Sequence, residues 1–160
     1  MKTQPLVPSV NPAAETIRLG PLTLDFLITR ETSGGSVAAF ELTVPAGQSL
    51  RAPAHSHDHY EESIYGISGV VTFTVDGKPI EIGPGQMLCI PRGAVHRFDN
   101  FGREASRSLC VITPAEIGPE YFREMLAILS SSAGGPPDQK KLVEVMLRHG
   151  LTPAAPSPAS

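Results

Sequence analysis

Charge is scarce in this chain of 160 residues: Lys and Arg number 13, Asp and Glu 16, and together they make up 18% of it. The net charge is −3 and no basic stripe occurs, which argues against nucleic acid as a partner. No apolar run approaches the roughly 20 residues that a membrane-crossing helix needs, so no membrane span is expected. Met1 to Glu15 carries one Lys and lacks the apolar stretch of a secretory signal. A cytoplasmic location is the resulting expectation. Cysteine occurs twice, as Cys89 and Cys110, each within a short apolar run. Both read as small core residues, with a thiol that can face a pocket, rather than as a disulfide.

What is present is a series of short strand-like runs punctuated by Gly and Pro. Ile17 to Thr29 is broken by a turn at Gly20-Pro21, and Ser36 to Val44 closes at Pro45-Ala46-Gly47. His55 to Tyr60 and Ser63 to Ser68 follow, the second with Gly66 at its centre, where a close backbone approach or a cavity would require it. Val70 to Val75 and Lys78 to Ile82 flank Asp76-Gly77, the strongest two-residue hairpin signal in the chain. Met87 to Ile90, Val95 to Phe98 and Ser106 to Thr113 complete the set. Short strands at regular spacing, with no helix between them, predict an all-β antiparallel sandwich or barrel. One domain of this length buries about 70% of its unfolded surface.

After Thr113 the period changes to that of a helix. Phe122, Met125, Leu126 and Leu129 share one face of Glu120 to Leu129. Ser130 to Pro137 is a flexible break. Asp138 can then cap a second helix whose Leu142, Val145, Met146 and His149 form a stripe, with Gly150 as the stop. Both stripes read as a helical pair packed on the β domain, and His149 as an end-of-helix residue. The expected organisation is a flexible N-terminal arm over residues 1–16, a β-barrel over 17–113, C-terminal helices over 114–150 and a disordered Pro/Ala/Ser-rich tail over 151–160.

The chemistry-bearing residues are concentrated in two stretches. His55-Ser56-His57-Asp58-His59-Tyr60-Glu61-Glu62 offers two or three imidazoles and a carboxylate, and His96 follows a Pro/Gly turn. Three His and one Glu, with no Cys among them, are a metal-ligand set. On a straight strand His55, His57 and His59 point to one side. Glu61 shares that parity, whereas Glu62 joins it only if the chain turns or bulges between the histidines and Glu62. Spacing alone leaves Glu61 against Glu62 open.

The pattern His55-x-His57-x4-Glu62-x6-Gly69 is similar to the first motif of the cupin superfamily, G-x5-H-x-H-x3,4-E-x6-G. Gly85-x5-Pro91-x-Gly93-x2-His96-x3-Asn100 matches every fixed position of the second, G-x5-P-x-G-x2-H-x3-N. The departure is at the opening glycine: seven residues separate Gly47 from His55, so the loop before His55 is longer than usual in the family. The resemblance covers residues 36 to 113 and implies a cupin-type jelly-roll β-barrel carrying a C-terminal two-helix extension. It implies His55, His57, Glu62 and His96 as ligands of a divalent transition metal ion (Fe, Mn, Ni, Cu or Zn). His59 then falls outside the pattern, as a partner orienting a ligand, a proton shuttle or an exposed loop residue. Glu61 becomes a solvated group or a partner of a ligand histidine. Ile64, Gly66, Ser68 and Phe98 are candidate lining of the pocket.

The C-terminal helices ending in Arg148-His149-Gly150-Leu151 resemble those of quercetin dioxygenase-like single-domain cupins. That likeness speaks for the subfamily and not for the substrate. The three-His, one-Glu set would leave an octahedral ion two open positions, and the leading expectation is a metal-dependent dioxygenase acting on a small chelating enol, phenol or diketone, with Glu62 as ligand and catalytic base. Tyr60, His59 or Glu61 could assist proton transfer. The alternatives are an O2-independent isomerase, lyase or decarboxylase, and a non-catalytic module that binds a small molecule. The expected partners are a small-molecule substrate and, as in cupin relatives, a second copy of the chain in a homodimer. The arm from Met1 to Glu15 could cover an exposed sheet edge in such a dimer.

Overall fold

The computed structural model describes residue 10 and residues 15–48, 54–132 and 135–154. In chain order the strands are β1 (Glu15–Leu19), β2 (Leu22–Ile28), β3 (Ala38–Val44), β4 (His55–His57), β5 (Glu61–Ser68), β6 (Val71–Val75), β7 (Lys78–Ile82), β8 (Met87–Ile90), β9 (His96–Asp99), β10 (Ser106–Thr113) and β11 (Leu151–Pro153). A single helical turn, α1 (Arg30–Ser33), links β2 to β3, and α2 (Pro119–Ser130) and α3 (Gln139–Arg148) follow β10. All the strand pairings are antiparallel, in a six-stranded sheet of order β1-β2-β3-β10-β5-β8 and a five-stranded sheet of order β11-β4-β9-β6-β7.

The two sheets face one another as a mostly β jelly roll, and period-2 alternation decides what lies between them. On β10, Ser106, Ser108, Cys110 and Ile112 are buried while the residues between them are not. Leu24 sits opposite Leu42 and Phe26 opposite Phe40 on neighbouring strands, all four buried. Each such side chain contributes about 1.5–3 kcal/mol by leaving water. Outward positions are wetter: Cys89 is exposed on β8, an edge strand of its sheet, so the expectation of two core cysteines holds for Cys110 alone.

Turn chemistry sets the registers. Asp76 and Gly77 both take positive φ, 47° and 80°, and join β6 to β7 as the hairpin the dipeptide predicts. Gly66 answers to a different need. A Cβ placed there would lie 2.1 Å from the carbonyl oxygen of Gly83, because the loop after β7 crosses directly over β5. Asn100 ties the β9–β10 connection: its side-chain amide donates to the carbonyls of Val44 and Glu104, and its Oδ1 accepts from Gly102 N–H.

The helices follow their stripes. Asp138 caps α3 by accepting from Lys141 N–H, and Val145 and Met146 are buried. No helix among the described residues is long and apolar enough to cross a membrane. The expected boundaries move at two places. The tail from Leu151 begins as a strand: β11 pairs with β4, Leu151 opposite His57, and Leu151 is buried. The edge of β4 needs hydrogen-bond partners and Leu151 is apolar, whereas the reading of a disordered tail rested on Pro, Ala and Ser further on. At the other end β1 already pairs at Glu15, within the expected arm. The rest of that arm except Val10, the loop residues 49–53, residues 133–134 of the break and residues 155–160 of the tail lie outside the described residues.

Gly66→Ala tests the crossing. The backbone contact cannot be relieved by a rotamer, so we expect a loss of about 3 kcal/mol in urea denaturation. Unchanged stability would mean that the loop after β7 does not lie against β5.

Candidate metal centre

His55 and His57 alternate on β4 with Ser56 between them, and β4 meets β9 at the pair His55 and His96. One short ladder therefore brings all three imidazoles together. The ring centroids are 5.2 Å apart for His55 and His57, and 4.6 Å apart for His96 against either. Nitrogens of the three rings lie within 4.8 Å of one another. His57 and His96 are buried and His55 is half-buried.

The carboxylate comes from the facing sheet. After β4 the chain bends at Asp58 and His59 and re-enters as β5 in the six-stranded sheet, which resolves the parity question between Glu61 and Glu62. Glu62 points between the sheets, its Oε2 3.4 Å from His96 Nε2 and 3.9 Å from His57 Nε2. Glu61 points the other way, to Arg92 Nε at 2.7 Å. His59 is exposed, beside a polar depression that includes Arg148 and His149. Tyr60 is buried behind His57, with ring centroids 4.4 Å apart, and its hydroxyl donates to the His149 carbonyl. Of the three residues considered for proton transfer, Tyr60 is thus engaged elsewhere, and His59 and Glu61 face outward.

The electrostatics are those of a buried polar cluster in an apolar wall. Burial pushes His57 down to about 3 and outweighs the Glu62 carboxylate near it. For His96 the burial that would lower it is exceeded by the adjacent carboxylate, and its pKa rises. For Glu62 burial acts upward, but the neighbouring histidines prevail and hold it below the ordinary carboxylate value. Cys110, fully buried next to Glu62, is kept protonated by burial and by that carboxylate.

A metal ion suits these atoms. The His96 Nδ1 lies 3.0 Å from the Ala94 carbonyl, which as the acceptor fixes the proton on Nδ1 and leaves Nε2 with its lone pair on the Glu62 side. That Nε2 is buried without a hydrogen bond, as is His57 Nδ1. Buried polar atoms are seldom left so. Ligand bonds of about 2.0–2.1 Å to imidazole nitrogen fit three rings this close together, and the Glu62 carboxylate stands beside two of them, His57 and His96.

The cluster forms one end of a cavity of about 140 Å³. Phe98 lines it as the strand parity predicts, but Ile64, Gly66 and Ser68 do not. Ile64 is packed in the core, and Gly66 is closed off by the Gly83 carbonyl. The walls come instead from β2, β3 and, unexpectedly, the helices: Tyr121, Phe122, Met125 and Met146 all face the cavity. The apolar stripe of α2 was visible in the sequence, but a stripe does not say what it packs against.

Comparison with known proteins agrees with this geometry. The Cupin domain family model matches residues 40–112. Quercetin 2,3-dioxygenase of Bacillus subtilis (strain 168) is 28% identical over 71 residues, 44% of this chain and 20% of that protein. Polyketide synthase CurC of Streptomyces cyaneus is 33% identical over 64 residues, 40% of this chain and 42% of that protein. The chain thus spans less than half the length of either relative. Among solved structures, a predicted oxalate decarboxylase from Thermotoga maritima superposes with a TM-score of 0.57 at 24% identity, covering 68% of this chain and 97% of that one. That likeness shows the shared fold.

The buried His57 has a measurable consequence in metal-free protein. An unfolded histidine takes up a proton near 6.5, whereas folded His57 stays neutral down to about 3. Between those values the unfolded state binds more protons, so stability falls as pH drops. His96, raised, has its effect above 6.5, and Glu62, lowered, below 4.5. From pH 6.5 to 5, wild type should therefore lose more stability in urea than His57→Gln. Equal losses would contradict a desolvated His57.

Proposed function

We propose that this chain, which matches the cupin family over residues 40–112, is a cupin and a metal-dependent oxygenase for a small enol, phenol or diketone, with His55, His57, Glu62 and His96 as the ligands. The observation that carries the reading is the convergence of three imidazoles from one sheet and a carboxylate from the other at the polar end of an apolar cavity. When bound, a divalent transition ion supplies Lewis acidity toward substrate oxygens and a place where O2 chemistry can occur. His55, His57, Glu62 and His96 would hold such an ion, and a substrate with two adjacent oxygens would suit the Lewis acidity it would supply.

The protein's own groups account for the rest. The Ala94 carbonyl holds His96 in the tautomer that presents Nε2. Glu62, ionised by the histidines around it, is placed to accept the proton that an enol or phenol gives up on chelation. The apolar walls hold the hydrocarbon part of the substrate and keep water from the reacting oxygens. The similarity to a quercetin dioxygenase and to a polyketide synthase supports a substrate with phenolic, enolic or diketone oxygens.

The test is elemental analysis of protein purified without added metal or chelator, together with oxygen uptake on catechol and acetylacetone. About one Fe, Mn, Ni or Cu per chain, with uptake, is the expected result. Metal without uptake would replace the oxygenase by an O2-independent isomerase, lyase or decarboxylase, or by a binding module. His57→Ala and His96→Ala should each lose most of the metal while keeping the β-sheet circular dichroism of wild type, and His59→Ala should retain it. Full occupancy in either of the first two variants would refute the ligand set.

A further inference from the structure

The cavity is chemically two-ended. Its charged or ionisable polar end is made by His55, His57, Glu62 and His96, and apart from the Tyr121 hydroxyl the remaining lining is apolar. Its volume, about 140 Å³, is close to that of the roughly 150 Å³ apolar cavity that takes up benzene in another protein. A ligand whose oxygens reach the histidines has room for about one ring behind them.

The far wall belongs to α2. Phe122 stands against Phe26 and Phe40, with ring centroids 5.7 Å and 5.8 Å away, while those two are 5.2 Å from each other. Met125, three residues on and therefore on the same helical face, lines the cavity beside it. The helix is held on both sides: Arg123 lies 3.8 Å from Glu15 on β1, and Glu124 takes a contact of 3.1 Å from His149 after α3. Tyr121 packs edge-on against His149. The wall is thus fixed, yet it is joined to the barrel by side-chain packing and not by a hydrogen-bonded ladder. It carries none of the three histidines and not the carboxylate. Substitutions on it can change the length of the cavity while the cluster on β4, β5 and β9 stays in place.

We infer that Phe122 and Met125 set the upper size of the ligand, so that the site takes a single-ring or equally short molecule with two adjacent oxygens and rejects a fused-ring one. The polar half of that statement rests on the metal-site reading above; the size limit rests on the cavity alone. A flavonol of three rings is accordingly outside the range of this chain, even though a quercetin dioxygenase is among its relatives.

Two probe pairs separate the halves in calorimetric titration of the Zn2+-loaded protein. Catechol and 2,3-dihydroxynaphthalene share the oxygens and differ by a fused ring. Toluene and 1-methylnaphthalene differ in the same way without oxygens. Wild type is expected to bind the smaller member of each pair about tenfold more tightly or better. Met125→Ala and Phe122→Leu are each expected to reduce that preference about tenfold in both pairs. Should Phe122→Leu fail to fold, Met125→Ala, at a half-buried position, carries the test. A size preference confined to the oxygen-free pair, with neither diol bound, supports the wall and removes the chelation reading. Equal binding of both ring sizes by wild type, or an unchanged preference in the variants, overturns the inference.

Discussion

The approach of Glu62 to the histidines across the gap between the sheets is the constraint on which the rest depends. A carboxylate only 12% exposed stands 3.4 Å and 3.9 Å from two buried imidazoles, at the edge of a largely apolar cavity. Isolated, each would be costly to bury. Together they hold one another in defined charge states, Glu62 ionised, His96 drawn upward and His57 kept neutral by burial. The cost that remains, in imidazole nitrogens without hydrogen-bond partners, is the kind that persists where the site has a ligand to bind.

Much of the surrounding structure serves to bring β4, β5 and β9 to that spacing. The Gly93 N–H donates to the His57 carbonyl and the Asp58 N–H to the Gly150 carbonyl, which pins the peptide at the start of the turn between β4 and β5. β11 then covers the free side of β4. Asn100 and the crossing at Gly66 lock the connections on either side of the two sheets. The motif positions divide accordingly: Asn100 serves the fold, whereas His55, His57, Glu62 and His96 face the cavity.

The parts of this that were legible in sequence are those set by local chemistry. Asp76-Gly77 specifies its hairpin because both residues tolerate positive φ, and Asp138 specifies a helix start because its carboxylate can accept a backbone N–H. The strand β10 ends where its alternation ends, at Ser106 and Thr113. What could not be read depends on long-range contacts. Parity along a straight strand groups Glu61 with the histidines, whereas the bend at Asp58 and His59 transfers the chain from one sheet to the other and brings Glu62 in instead. Leu151 looked like the start of a featureless tail until the open edge of β4 gave it a partner. The stripe on α2 promised packing, but its role as the end of the ligand cavity depends on where the barrel leaves space.

The most direct test of the central claim is X-ray absorption and visible spectroscopy of metal-free protein reconstituted with one equivalent of Co2+. The account predicts three imidazoles and a carboxylate oxygen around the ion, with the weak visible bands of five- or six-fold coordination that leave room for a chelating substrate. Fewer than three imidazoles, or the intense bands of a closed tetrahedral site, would contradict it.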